Sequence, residues 1–367
     1  MPKSLTATAV PVRIPVLLAA AGLGLAAARA FGQGDPLGEP FPAVFELSSL
    51  LPASGGDGSL GFVLVSSRSD VGLGVTVDAA DVDGDGIDDV VAGSIGQLSS
   101  GSVYVIFGVP GQRQATRDVQ LPGPTDRVHL FPSRPGGTRG LGGSLSMGDL
   151  DGDGFDDFVV GARRTTFDPF LDCYDSGNAF AVVGRERAAW PDRLPIETQP
   201  QLDPGCDYYA SHGTAVGMGD FDGDGIDDIV VSAPHPYGTA GRRPAMVTIY
   251  RGAAPPFVEE IAKIEPGSSD TLLGWFAAFV GDVNSDGLED VAITESDHPD
   301  GSRAYLVFGG ASGTVTVDDL TPPDGLMLQE PGWYAGSASY QNVGDVNGDG
   351  LDDLAIGDAI GGAVYVI

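Results

Sequence analysis

The sequence predicts an all-β fold assembled from repeated four-stranded units, and three observations lead to this prediction. Five near-identical acidic loops recur along the 367 residues, with short apolar runs on both sides of each loop. Glycine and proline are abundant, with 56 and 27 residues, whereas charged residues make up only 19% of the chain. Beyond the N-terminal segment, no stretch shows the sustained apolar periodicity of an α-helix. This combination is typical of β-sheets joined by many tight turns.

The acidic loops share one pattern of oxygen-bearing side chains. Loops 1 to 5 are residues 81–89, 149–157, 220–228, 282–290 and 345–353, so successive loops begin 62 to 71 residues apart. In every loop Asp or Asn fills positions 1, 3, 5 and 9, glycine fills position 6, and position 7 is large and apolar. A regular period of this size indicates stacked supersecondary units, each of which buries its apolar face against its neighbours.

Each loop lies in a unit of four predicted strands. Around loop 1 these strands are residues 73–77, 90–93, 101–108 and 127–131, and the third of them is rich in β-branched and aromatic residues. Four antiparallel strands make one blade of a β-propeller. Five units within residues 44–367 therefore predict a five-bladed propeller, and the alternative is that the chain is part of a seven-bladed ring.

To close a ring of five blades, the first and last segments of the propeller must contact each other. The last predicted strand, residues 362–367, corresponds to the third strand of a unit. Residues 62–66 stand where residues 128–131 stand before the next unit, so we expect residues 62–66 to pair with residues 363–367 and close the ring. Residues 44–48 are a second candidate for this pairing.

The segment after each loop points to a known family. Residues 232–234 read Ser-Ala-Pro, close to a Gly-Ala-Pro signature, and residues 161–162 match its first two positions. The unit resembles the FG-GAP repeat of integrin α-subunit propellers and of many bacterial secreted proteins. The resemblance covers residues 44–367 and implies a β-propeller with calcium-binding loops. The integrin propeller has seven blades, so five units depart from it.

The loops offer oxygen atoms at spacings that suit a calcium ion. Calcium takes about six to eight oxygen ligands in a flexible geometry. Side chains at positions 1, 3, 5 and 9 and the carbonyl at position 7 can wrap such an ion, and the resemblance assigns them the same roles. Up to five Ca²⁺ ions are expected. The predicted ligands are Asp81, Asp83, Asp85, Ile87 and Asp89 in loop 1, Asp149, Asp151, Asp153, Phe155 and Asp157 in loop 2, Asp220, Asp222, Asp224, Ile226 and Asp228 in loop 3, Asp282, Asn284, Asp286, Leu288 and Asp290 in loop 4, and Asp345, Asn347, Asp349, Leu351 and Asp353 in loop 5.

Other interpretations of the loops fit less well. An EF-hand needs Glu at position 12, where this chain has an apolar residue inside a predicted strand. Magnesium demands a stricter octahedron and keeps its waters. Turns without any ion are the remaining alternative. Among the five loops we expect the fourth to bind most weakly, because Asn284 removes one charge and Ser285 replaces the glycine of position 4.

The N-terminus predicts export from the cytoplasm. The basic residues Lys3 and Arg13 precede an apolar run over residues 14–28. Ala-Arg-Ala at residues 28–30 then supplies the small-x-small pattern that a signal peptidase needs. We therefore expect a signal peptide at residues 1–30, a short linker at 31–43, and a secreted, periplasmic or extracellular protein. An uncleaved membrane anchor is the alternative.

The negative net charge narrows the classes of possible binding partner. The formal net charge is −32, and 23 of the 51 acidic residues lie in the five loops. Such a surface repels phosphate backbones and anionic lipids, which argues against nucleic-acid binding.

The two cysteines, Cys173 and Cys206, are expected to form a disulfide in an oxidising compartment, because the predicted connections that carry them emerge on the same face.

No catalytic motif is apparent, and the sequence predicts a binding protein and not an enzyme. We expect an adhesion or protein-interaction module with an extracellular protein or glycan ligand. The alternative is a lectin or a polysaccharide-processing enzyme on the same scaffold. The candidate ligand-binding residues are Tyr208, Trp275, Trp333 and His235, although aromatic residues at such positions more often pack between blades.

Overall fold

The protein is all-β in the part of the chain that the structure describes. A computed structural model describes residues 47–56, 61–66, 72–95, 101–111, 116–119, 127–132, 138–165, 177–202, 211–234, 245–257, 259–267, 271–296, 303–329, 338–348, 352–358 and 362–367. Within these residues the helical segments are short 3-10 turns, and none of them is long and apolar enough to cross a membrane.

Most of the described residues belong to short strands that alternate with turns. In chain order, strands β1 to β23 are Val63–Val65, Leu73–Ala80, Asp89–Ser94, Ser102–Ile106, Thr116–Asp118, Arg127–Phe131, Thr138–Gly148, Asp157–Thr165, Asn178–Val182, Arg193–Pro195, Gln201–Leu202, Val216–Gly219, Asp228–Ala233, Met246–Tyr250, Glu260–Glu265, Leu272–Phe279, Val291–Ser296, Arg303–Val307, Gly313–Thr316, Gly325–Leu328, Ala338–Asn342, Leu354–Asp358 and Ala363–Val366.

The strands form a series of equivalent antiparallel sheets, one around each acidic loop. The antiparallel strands have the order β2-β3-β4-β6 in sheet 1, β7-β8-β9-β11 in sheet 2, β12-β13-β14-β15 in sheet 3 and β16-β17-β18-β20 in sheet 4. Sheets 1 and 3 each have a fifth, parallel strand at their outer edge, β10 and β19. In sheet 5 the described strands are β21-β22-β23. The prediction of an all-β fold with propeller-type blades is confirmed.

Successive sheets pack face to face, which explains why their central strands are apolar on both faces. Buried clusters lie between sheets 1 and 2, with Val105 and Phe158, and between sheets 3 and 4, with Ile249 and Ile293. Similar clusters join sheets 2 and 3 and sheets 4 and 5. Every residue of β13 is buried. Strands that are covered on both faces read as continuous hydrophobic runs and not as an alternation of polar and apolar residues.

Glycines allow the sheets to approach closely where the first strand of each unit begins. A Cβ on Gly161 would lie 2.1 Å from the carbonyl oxygen of Gly213, which has a φ of +71°. The hydroxyl of Ser144 donates a hydrogen bond to the same oxygen at 3.0 Å. The contact recurs one unit earlier, between Gly93 and Gly142. Any larger residue at these positions would separate neighbouring sheets.

Strand β2 of sheet 1 and the last described strand of sheet 5 expose apolar residues that are buried in the inner sheets. Val77 pairs with Ala92 of β3 and is 49% exposed. Val216 pairs with the equivalent residue of sheet 3, Val231, and is only 7% exposed. On sheet 5, Val366 is 51% exposed, whereas its equivalent Val105 in sheet 1 is fully buried. Exposed apolar residues of this kind suit a contact between blades. Among the described residues, no strand pairing or buried cluster joins sheets 1 and 5, so ring closure stays a proposal.

The predicted pairing of residues 62–66 with residues 363–367 is wrong. Strand β1 pairs in parallel with β5, which lies in the connection between the third and fourth strands of sheet 1. Leu64 of β1 packs against Tyr104 and Ile106 of that sheet, and this burial holds β1 in place. Strand β10 pairs in the same way with β6, and β19 with β15. Strand β1 therefore takes the position of the outermost strand of a preceding blade. The second candidate, residues 44–48, forms no described strand, because Leu47–Leu50 is a 3-10 turn.

Candidate metal-binding loops

Each acidic loop connects the first and second strands of its sheet and folds around the carboxylate at position 1. In loop 1, Asp81 Oδ1 accepts the backbone N–H groups of Gly84 at 2.8 Å and Asp85 at 3.1 Å. Its Oδ2 accepts the N–H of Gly86 at 2.7 Å. Positions 4 and 6 donate to position 1 in the same way in loops 2 and 3. Gly86 has a φ of +83°, which confirms the expected need for glycine at position 6.

Carboxylate oxygens converge in loops 1, 2 and 3. In each of these loops, three oxygen atoms from different residues lie within 4.8 Å of one another. The groups are Asp81, Asp83 and Asp85, then Asp149, Asp151 and Asp157, then Asp220, Asp222 and Asp228. Positions 1 and 3 belong to all three groups. The clusters are able to hold a divalent cation, since clustered carboxylates are the ligands that such cations prefer.

Burial of these carboxylates is incompletely compensated by the protein. Within the described residues, Oδ1 of Asp83 is buried without a hydrogen-bond partner. Burial, and after it the charge of Asp85, raises the pKa of Asp83. Burial and the charge of Asp153 raise the pKa of Asp151 in the same way. An uncompensated buried carboxylate is costly, so the site fits a bound cation that would supply the missing ligand contacts and countercharge.

Position 9 is the most deeply buried acid of each loop and connects three segments of its sheet. In loop 2 the side chain of Asp157 accepts the N–H of Leu150, at position 2, at 2.9 Å. Its other oxygen accepts the N–H of Gly184, after the third strand, at 2.6 Å. Loops 1, 3 and 4 repeat both bonds. Burial raises the pKa of Asp157 to about 7. Position 9 therefore has a structural role besides its predicted role as a ligand.

Position 8 contacts the preceding loop, a role that the sequence analysis missed. The N–H of Asp81, at position 1 of loop 1, donates to Oδ2 of Asp156 at 2.8 Å, and the N–H of Asp156 donates to the carbonyl of Asp81 at 3.1 Å. Asp149 and Asp227 make the same pair of bonds between loops 2 and 3. The signal was present, because position 8 is Asp or Glu in every loop.

Position 7 also contacts the preceding loop and not only its own blade. The ring of Phe155 lies over Gly84, where an added Cβ would be 2.5 Å from Cε1 of the ring. Leu288 lies over Gly223 in the same way, between loops 4 and 3. Glycine at position 4 therefore makes room for the side chain at position 7 of the next unit.

Comparison with known proteins agrees with this geometry. The sequence pattern of the FG-GAP repeat family matches residues 141–179 and 212–243. These segments hold the glycine-led first strands and the acidic loops of sheets 2 and 3. The chain contains FG-GAP repeats.

The chain aligns with longer proteins, mainly integrin alpha subunits. Integrin alpha-4 of Xenopus laevis is 32% identical over 152 residues, which are 40% of this chain and 14% of that protein. Integrin alpha-7 of Rattus norvegicus is 22% identical over 281 residues, 72% of this chain and 23% of the relative. Phosphatidylinositol-glycan-specific phospholipase D of Rattus norvegicus is 28% identical over 191 residues, 48% of this chain and 20% of the enzyme. The chain thus spans less than a quarter of each of these relatives.

Arginine side chains contact two of the acidic loops, loops 1 and 3. Nη1 of Arg187 lies 3.4 Å from Oδ2 of Asp83 in loop 1. Nη1 of Arg251 contacts Asp222 and lies 3.2 Å from Oδ2 of Asp224 in loop 3. A guanidinium group at these places supplies part of the positive charge that the carboxylates need, so it competes with a metal ion for the same oxygen atoms.

Loops 4 and 5 differ from the first three. In loop 4 the amide of Asn284 donates to Asp286 at 2.9 Å, and Ser285 has a φ of +62°, a conformation that favours glycine. In loop 5 the amide of Asn347 donates to Asp353 at 2.9 Å. Each bond occupies a carboxylate oxygen that could otherwise bind metal. Asp349 and Leu351, two predicted ligands of loop 5, lie outside the described residues.

Of the four candidate ligand-binding residues, Trp275 is the one that lies in the described part of the chain. Trp275 lies in β16 and is 38% exposed. Its neighbour Phe276 packs against Tyr340 of sheet 5 with ring centroids 5.1 Å apart, as expected for an aromatic residue between blades. Tyr208, Trp333 and His235 lie outside the described residues, as do Cys173 and Cys206. The ligand-binding roles and the disulfide therefore stay predictions.

Proposed function

We propose that this protein is a secreted, calcium-binding β-propeller that acts as an adhesion or protein-interaction module. The observation that carries the calcium proposal is the convergence of carboxylates in loops 1 to 3, together with the buried oxygen of Asp83 that lacks a partner. Calcium accepts such oxygen-only, flexible sites more readily than magnesium. Positions 1, 3, 5 and 9 and the carbonyl of position 7 would hold the ion.

The interaction role is inferred from the relatives and from the scaffold. Two of the three relatives reported above are integrin alpha subunits, which favours an extracellular protein ligand. Variable loops on a rigid propeller are suitable places for ligand contacts. The proposal includes a signal peptide at residues 1–30 and a five-bladed ring over residues 44–367.

Binding assays with arrays of extracellular proteins and of glycans test the interaction role. Arrays are probed with the secreted protein in calcium and in EDTA, beside a Trp275→Ala variant. Calcium-dependent binding to a protein that the Trp275→Ala variant loses supports the proposal. Binding to glycans alone favours the lectin alternative, and turnover of a bound glycan would instead identify an enzyme.

The fourth loop should bind calcium most weakly. Loop 4 has one charged ligand fewer than loop 1 and a strained residue at position 4, and both features lower the affinity for calcium. In a calorimetric titration, Asp282→Asn should remove only the weakest class of sites. The matched substitution Asp81→Asn in loop 1 should remove a site at least about tenfold tighter. The reverse order would contradict this ranking.

A further inference from the structure

We propose that the acid at position 8 of an FG-GAP loop is a positioning residue that couples calcium binding in its own loop to calcium binding in the preceding loop. Calcium ions would then bind cooperatively along the row of sheets. The inference rests on the proposed calcium binding and concerns residues that are not themselves predicted ligands.

The coupling has a repeated geometric basis. At the junction of loops 1 and 2, two hydrogen bonds join the backbone of Asp81 to Asp156, at 2.8 and 3.1 Å. At the junction of loops 2 and 3, bonds at 3.0 and 3.1 Å join Asp149 to Asp227. At the junction of loops 3 and 4, the N–H of Glu289 donates to the carbonyl of Asp220 at 3.0 Å. We call this contact the position-8 clasp.

Packing reinforces the position-8 clasp. Phe155 at position 7 lies over Gly84 of loop 1, Ile226 over Gly152 of loop 2 and Leu288 over Gly223 of loop 3. The clasp and this packing act on adjacent residues, so the end of one loop and the start of the preceding loop move as a unit.

The clasped residues are placed between predicted ligands on both sides. Asp81 is itself the position-1 ligand of loop 1. Asp156 is the residue between Phe155 and Asp157, the position-7 and position-9 ligands of loop 2. An ion that fixes Asp81 therefore also restricts the backbone that carries two ligands of the next site. The second ion then loses less conformational entropy on binding, which is positive cooperativity.

The chain itself provides the conservative control. Glu289 shows that glutamate is accommodated at position 8, and Asp156→Glu keeps a carboxylate acceptor there, whereas Asp156→Asn weakens the acceptor. Asp192 is an exposed acid outside the loops, and Asp192→Asn removes one negative charge without changing a clasp. Comparing Asp156→Asn with Asp192→Asn separates the clasp from the general loss of charge.

The experiment is a calorimetric calcium titration of the whole chain and its variants, with melting curves in EDTA. We expect a Hill coefficient above one for the original protein, for Asp156→Glu and for Asp192→Asn. For Asp156→Asn we expect a lower Hill coefficient and half-saturation at about fivefold higher calcium, the lower end of typical coupling strengths. The melting curves in EDTA show whether each variant folds without the ion.

Three outcomes would overturn the inference, and they differ in what else they affect. Non-cooperative binding by the original protein removes the coupling but leaves the proposed calcium function intact. An unchanged Hill coefficient in folded Asp156→Asn assigns the cooperativity to another contact. Absence of calcium binding by the original protein overturns the proposed function as well. If Asp156→Asn does not fold, the isosteric Asp227→Asn tests the clasp between loops 2 and 3, where Oδ2 of Asp227 accepts the N–H of Asp149 at 3.0 Å.

Discussion

Removal of calcium should lower the melting temperature of this protein by several degrees or more, and the difference should be larger at pH 8 than at pH 5. The five loops hold 23 of the 51 acidic residues, and without metal these carboxylates repel one another. An ion that binds the folded chain and not the unfolded chain adds its binding free energy to stability.

The pH dependence follows from the acids at position 9. Burial raises the pKa of Asp89, Asp157 and Asp228 from 3.8 to about 7. Without metal, the folded protein therefore binds protons more tightly than the unfolded chain. The stabilisation is full below the unfolded pKa and is lost as the pH rises from about 4 through 7. Bound calcium supplies positive charge that favours the ionised form, so it should reduce or reverse this loss.

Thermal melts over this pH range, in calcium and in EDTA, measure both effects. Equal melting temperatures after verified metal removal would contradict a stabilising role of calcium. A metal-free melting temperature that rises between pH 4 and pH 7 would contradict the assignment of raised pKa values to the position-9 acids.

The repeated features of this fold could be predicted from the sequence because each recurs with the same local cause. Position 6 is glycine because the turn needs a positive φ, as Gly86 shows. The strands after each loop are apolar because both of their faces are covered by neighbouring sheets. Carboxylates at positions 1 and 3 converge because the loop folds around position 1. The first and third of these causes act within one unit, and the second acts in the same way on each inner unit, so the repeated pattern of residues reveals them.

Features that depend on neighbouring units could not be predicted in this way. The partner of Asp156 is Asp81, which lies in a different repeat. The acid that recurs at position 8 signals a role for this residue, but the sequence does not identify its partner. The partner of β1 is β5, a three-residue strand that lies in a connection. Such a strand is too short to show a pattern of its own, and its position is set by packing against sheet 1.

Replacing the buried acid Asp157 with alanine should destabilise the metal-free protein by about 3 kcal/mol or more. Its two carboxylate oxygens accept the N–H groups of Leu150 and Gly184, and the side chain is fully buried. Alanine leaves both N–H groups buried without partners, and each loss of this kind costs about 1 to 3 kcal/mol. The three segments that Asp157 connects would also lose their common contact.

The matched control is Asp153→Ala in the same loop. Asp153 is exposed and accepts a single N–H, that of Phe155 at 2.9 Å. In EDTA its replacement should change the free energy of unfolding by about 0.5 kcal/mol or less, because water can replace the lost bond. Urea unfolding in EDTA measures both variants without any contribution from metal. Similar losses for Asp153→Ala and Asp157→Ala would show that position 9 acts only as a ligand, whereas a large loss confined to Asp157→Ala identifies it as the residue that holds the first, second and third strands of a repeat together.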